Sequence, residues 1–164
     1  LMRALLLILS FPFALCGQLQ KEVRFEIKNL GSTVEGQFEE FSLDIQWNES
    51  NPLTSKISGS VQVESINTGI GLRDRHLRSS SYFDAKKFPT ITFKARKIEQ
   101  TAGRDEYKVI GLLTIKDISR EETFTLHIDE RGREIFTTII DRRKYRVGGK
   151  SITMGDEVKV TVID

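Results

Sequence analysis

His76 follows Asp74 by two residues and precedes the run Ser79-Ser80-Ser81 by three. These are the residue types of a nucleophilic triad, in which serine attacks, imidazole takes its proton and a carboxylate orients the imidazole. The spacing works against that chemistry. Residues this close project from neighbouring positions of one turn, whereas a triad draws its members into line from separate elements. No serine lies in a Gly-x-Ser-x-Gly elbow either. Metal chemistry is short of ligands: the chain holds two histidines, His76 and His127, and one cysteine, Cys16, while a zinc site takes three or four. No catalytic set and no metal site is assigned. His76 reads instead as a hydrogen-bonding residue that pins its own segment, and His127, on the polar side of a strand, as a solvated one. The charges around His76 have two readings. Asp74, Arg73 and Arg78 form ion pairs or cap backbone groups, or else an arginine holds an anionic head group. Arg142 and Arg143, in a second charged stretch, are open to both. Asp74, His76, Arg78 and Arg142 are thus the candidate polar network or head-group contacts.

The segment that carries His76 spans 65–93 and lies between two alternating strands. A connection of about 26 residues is long where roughly 4–6 is usual, and loops of that size are functional or disordered. This one holds Ile66, Ile70, Leu72, Leu77, Tyr82, Phe83 and Phe88, too much apolar surface for disorder. About two turns of helix are expected over 72–78, with Tyr82-Phe83 as an apolar plug. The segment is expected to fold over one end of a β-structure and close it.

The rest of the chain alternates with period two, the sign of strands with one dry face. Val23, Phe25 and Ile27 mark the first strand. The second runs over 34–47 and slips phase at Glu39-Glu40, which predicts a β-bulge. Ile57, Val61 and Val63 mark the third; Ile91, Phe93 and Ala95 the fourth; Tyr107, Val109, Leu113 and Ile115 the fifth. Phe124, Leu126 and Ile128 follow, then the stretch 135–140, then Val158, Val160 and Val162. Eight antiparallel strands without a long helix predict an all-β fold, a sandwich or barrel. Internal Gly36, Gly59 and Gly111 favour the barrel, because closure needs bends. Eight strands enclose either a side-chain core or one small ligand. Ten inward residues are expected, Phe25, Ile27, Phe38, Ile57, Val61, Phe93, Val109, Leu113, Phe124 and Leu126, with Leu77 and Phe83 from the lid. A filled core and an apolar pocket both fit that set.

The first 17 residues differ from the rest. Arg3, an apolar run and then small residues predict a signal peptide over 1–17, with one domain over 18–164. Cys16 leaves a lipoprotein anchor as a minority alternative. Without Arg3, the 25 basic residues become 24 against 23 acidic ones, so charge gives no case for a nucleic-acid partner.

Three runs carry a family resemblance: Val63-Glu64-Ser65-Ile66-Asn67-Thr68-Gly69, Arg73-Asp74-Arg75-His76-Leu77-Arg78, and Tyr82-Phe83-Asp84-Ala85-Lys86-Lys87-Phe88-Pro89 with the strand after it. With Gly36-Gln37-Phe38, the stretch 107–116, Asp141-Arg142 and Gly155-Asp156-Glu157-Val158, they make the chain resemble the YceI-like family along almost its whole length. The resemblance implies a lipocalin-like barrel, exported to a bacterial periplasm or secreted, that encloses a polyisoprenoid, an isoprenoid quinone or a related lipid. It implies no catalysis and no cofactor beyond such a bound lipid. The twelve apolar residues above are then the ligand-binding set. The alternative is a solid-cored barrel, an interaction or stress protein docking a membrane-protein partner through its charged connections. Either would be a monomer or a homodimer.

Overall fold

The structure is a computed structural model, and it describes residues 20–164. The expected leader and Cys16 lie outside the described residues. The strands are β1 (Glu22–Asn29), β2 (Ser32–Phe38), β3 (Phe41–Gln46), β4 (Lys56–Gln62), β5 (Ile66–Asn67), β6 (Thr90–Gln100), β7 (Glu106–Ile115), β8 (Ile118–Ile128), β9 (Glu134–Asp141) and β10 (Met154–Ile163). One helix, α1 (Gly71–Arg78), falls in the long connection where a helix is expected. All strands belong to one curled antiparallel sheet in the order β3-β4-β6-β7-β8-β9-β10-β1-β2-β5.

Ten segments replace eight strands because one strand is divided and a short one, β5, forms inside the expected connection. The stretch 34–47 is not one bulged strand: it breaks at Glu39-Glu40. Before the break β2 pairs with β1; after it β3 pairs with β4. The phase slip is therefore a corner at which the chain passes from one edge of the sheet to the other. Past β4 the chain turns a like corner, at Val63–Ser65, into the two-residue β5, which lies at the start of the expected connection and pairs with Gln37 and Phe38. The two edges are fastened where these corners meet. Gln62 N donates to Glu40 O at 2.8 Å, Glu39 N to Ser65 O at 3.2 Å and Glu40 N to Ser65 Oγ at 3.0 Å. A bulge does exist, but in β6, where the register shifts between Ala95 and Lys97 and moves the inward phase from Ala95 to Ile98.

Two glycines permit the curl by close approach. Gly36 faces Phe25 across the β1–β2 ladder, and a Cβ there would overlap the Phe25 ring. Gly111 faces Ala95, and a Cβ there would stand 2.5 Å from Lys94 O and 2.6 Å from the Phe93 ring. In both places the tip of a phenylalanine ring reaches over a position without a side chain, so the wall bends inward without a clash.

The apolar interior has a sealed base. Ile57, Ile98, Tyr107, Val109, Phe124, Leu126 and Phe136 form one cluster, with Trp47 edge-on to Tyr107 at 5.0 Å and Phe93 to Phe124 at 4.8 Å. Val109 and Leu126 have no exposed surface. Full burial of each such side chain contributes about 1.5–3 kcal/mol. A second cluster, Val23, Phe38, Val61 and Ile66, carries the lid residues Leu77 and Phe83.

Candidate functional site

The lid is built from the residues of the long connection. Asp74, in the first turn of α1, is buried and accepts from Thr68 N at 2.9 Å and Thr68 Oγ1 at 2.5 Å. Its charge lies at the helix end that favours an anion. Arg73 returns to the same residue: Nε donates to Thr68 Oγ1 and Nη2 to Thr68 O, each at 2.7 Å. Arg78 donates to Ile66 O at 3.0 Å. Ser79 ends the helix, its Oγ donating to His76 O at 2.7 Å. Tyr82 and Phe83 then turn under the helix.

The second charged connection braces the lid. Arg142, buried, opens a short 3-10 turn over Arg142–Tyr145. Its Nε donates to Gly155 O at 2.8 Å, Nη1 to Val147 O and Gly149 O at 3.0 Å each, and Nη2 to Asp156 Oδ1 at 2.9 Å. Lys116, at the β7–β8 turn, ties the two connections together by donating to Tyr82 O at 2.8 Å and Arg146 O at 3.0 Å.

Tyr145 is fully buried under this brace, and its hydroxyl donates to Glu122 Oε1 at 2.7 Å. Burial first, and the Glu122 carboxylate second, push its phenol well above the ordinary 10.0. The folded state keeps this proton to a higher pH than the unfolded chain. The stability it contributes is complete below about pH 10 and is lost as pH rises further. Urea titrations between about pH 9 and about pH 11 should show that decline in the parent protein. Tyr145→Phe should lack this component of the decline and lose about 1 kcal/mol at neutral pH.

Between lid and base lies a cavity of about 240 Å³. Phe25, Ile27, Phe38, Ile57, Val61, Phe93, Leu113 and Phe124 line it from the wall, and Leu77 and Phe83 from the lid. Val109 and Leu126 are not among its lining residues; they sit in the sealed base. Further lining comes from Val34 on β2, Leu43 and Ile45 on β3, Phe136 and Ile140 on β9, and Val158, Val160 and Val162 on β10. Phe25, Phe93, Val109 and Phe124 thus do not close the interior from side to side.

The polar candidates divide. Arg142 borders the cavity, whereas Asp74, His76 and Arg78 do not. Asp74 and Arg78 are used within the connection, as backbone partners. His76 departs from expectation: it is exposed and pins nothing by a side-chain bond, its ring lying edge-on to Tyr82 at 4.9 Å. No catalytic grouping forms from it, because the Asp74 carboxylate is turned to Thr68. Arg73 and Thr68 border the cavity instead. Helical arithmetic is the signal for Arg73, since positions i and i+4 share a face. Leu77, the lid's inward apolar residue, therefore selects Arg73 and not His76. Asn29, Tyr82, Val147 and Met154 also border the cavity. Among the described residues no group of three or more His, Cys, Asp or Glu side chains converges.

Comparison with known proteins gives the following. A model of the YceI-like domain matches residues 18–163. A UPF0312 protein of Yersinia pestis (strain Pestoides F) is 30% identical over 113 residues, which are 68% of this chain. The chain spans 58% of the length of that relative. BcnA of Burkholderia cenocepacia superimposes with a TM-score of 0.81 at 25% identity, covering 87% of this chain and 94% of BcnA. A polyisoprenoid binding domain from Saccharophagus degradans, implicated in plant cell wall breakdown, superimposes with a TM-score of 0.62 over 87% of this chain and 91% of its own. Its identity is 12%, so that likeness is one of fold.

Proposed function

The chain belongs to the YceI-like family, and from that premise we propose that it is an exported binding protein for a long hydrophobic ligand. A polyisoprenoid, an isoprenoid quinone or a related lipid is the class intended, held for transport, storage or sequestration. The observation that carries this reading is the cavity of about 240 Å³ between a sealed base and a braced lid. A protein interior is otherwise close-packed, with few voids larger than a water molecule. An apolar cavity of this size, partly open to solvent, forgoes packing that a filled core would supply, which is the argument against the solid-cored alternative.

Volume sets how the ligand sits. Small-molecule pockets span about 300–1,000 Å³, so this one is small. Each methylene-sized group buried yields about 0.8 kcal/mol gross, before ordering costs reduce it. The tail enters, and a longer chain moves the phenylalanines aside. The head stays near the polar lining, where Arg73 Nη1 makes no hydrogen bond among the described residues and Asn29 Oδ1 is buried without a partner. An arginine fork suits an oxygen-rich head group.

Organic extraction of protein purified natively from a membrane-containing lysate tests the reading, followed by mass spectrometry of the extract. The expected result is a stoichiometric isoprenoid lipid, or uptake of added polyprenol or quinone by the stripped protein. Recovery of ligand-free protein that takes up neither would favour the solid-cored alternative.

A further inference from the structure

The β1–β2 turn puts a leucine where folding gains nothing from it. Leu30 has φ +51 and Gly31 φ +78, a two-residue turn whose positions favour Asn, Asp or Gly. A branched residue in the left-handed region is strained, and Leu30 is 76% exposed, so no packing offsets the strain. Beside it lies Ile152, with its whole surface exposed; Leu30 N donates to Thr153 O at 2.8 Å and joins the two tips. These tips adjoin the cavity lining, since Asn29 and Met154 are lining residues. The lid start borders the same cavity through Thr68 and Arg73, and it exposes Ile70 and Leu72. Four of the six large exposed aliphatics among the described residues therefore lie within two residues of a lining position in these segments.

Charge accompanies them. Residues 28–34 and 149–155 contain no acid and hold the exposed lysines Lys28 and Lys150. On the lid start, Arg73 and Arg75 flank Asp74, which is buried and spent on Thr68. The rim is thus aliphatic and cationic together. A bilayer with anionic head groups meets both properties, taking aliphatic tips into its interface and attracting the cations. We infer that the rim formed by the β1–β2 tip, residues 149–154 and the start of the lid docks on an anionic lipid surface, with the cavity facing the bilayer. This rests on the ligand reading above and names the surface from which the ligand passes.

The test separates docking from binding. Flotation with phosphatidylethanolamine–phosphatidylglycerol vesicles should carry the parent protein, and added salt should weaken the association. The double variant Leu30→Ser, Ile152→Ser should lose about tenfold or more in vesicle affinity and in the rate of fluorescent polyprenol transfer from vesicles. Its equilibrium affinity for polyprenol offered in detergent micelles should not change, and Ile139→Ser, an exposed aliphatic on β9, should behave as the parent. A parent protein that stays in solution, or a double variant that floats as well as the parent, overturns the docking. So does a double variant that changes only the oligomeric state, which assigns the rim to a second copy of the chain. Failure of the parent to take polyprenol from micelles instead overturns the ligand reading, whatever the flotation shows.

Discussion

Arg142→Ala is expected to lower stability by about 3 kcal/mol, the largest loss of any single polar substitution in the lid and its brace. The guanidinium is 4% exposed and supplies four hydrogen bonds. Three end on backbone carbonyls of Val147, Gly149 and Gly155, which alanine leaves without this donor, at about 1 kcal/mol each. The fourth reaches Asp156, whose side chain is 44% exposed, so water screens that pair and it adds little. Arg142→Lys should recover only part of the loss, because an ammonium is a point donor and cannot span three carbonyls in a fork. Thermal melts of the three proteins check the ranking. At about 2–4 °C per kcal/mol for a domain of this size, the alanine variant should melt about 10 °C below the parent.

Val160→Trp is expected to abolish retention of a hydrophobic ligand while leaving the fold in place. Val160 faces Phe25 across the β1–β10 ladder, borders the cavity and packs on both the base and a further cluster of Leu113, Ile115, Ile140, Tyr145 and Val147. An indole there fills the space of about four methylene-sized groups, removing about 3 kcal/mol of burial from any guest, or at least about 100-fold in affinity. Overpacking a full core by this much costs about 1–3 kcal/mol; entering a void should cost less. The measurements are polyprenol or quinone titration and a thermal melt. Unchanged affinity would place the guest elsewhere, and a collapse in melting temperature would show the interior to be full.

The period-two pattern made most of the strands legible, because each has one dry face and one wet face. The phase slip at Glu39-Glu40 was visible too, but not its meaning. A bulge and a corner leave the same local trace, and only the partners on either side distinguish them: β1 before the break, β4 after it. Pairing partners are non-local, so the count of eight became ten. The lid helix could be read from its composition, and its inward face from Leu77. His76 is the chemically attractive residue of the helix, but i,i+4 spacing from Leu77 assigns the inward face to Arg73. The brace built by Lys116 and the engagement of Arg142 by three carbonyls lay beyond reach, since backbone acceptors have no sequence signature.

The corner at Glu39-Glu40 also governs how thick a guest the wall admits. β2 and β3 are two arms of one bent ribbon and share no rungs with each other, and among the described residues β3 has only β4 beside it. Among the described residues the arms are joined at Glu39, Glu40, Gln62 and Ser65, with Asn67 Nδ2 also donating to Glu39 Oε1. On the ligand reading proposed above, the arms have no shared ladder to break, so a bulkier hydrocarbon would loosen side-chain contacts along the slit and leave the backbone pairing unaltered.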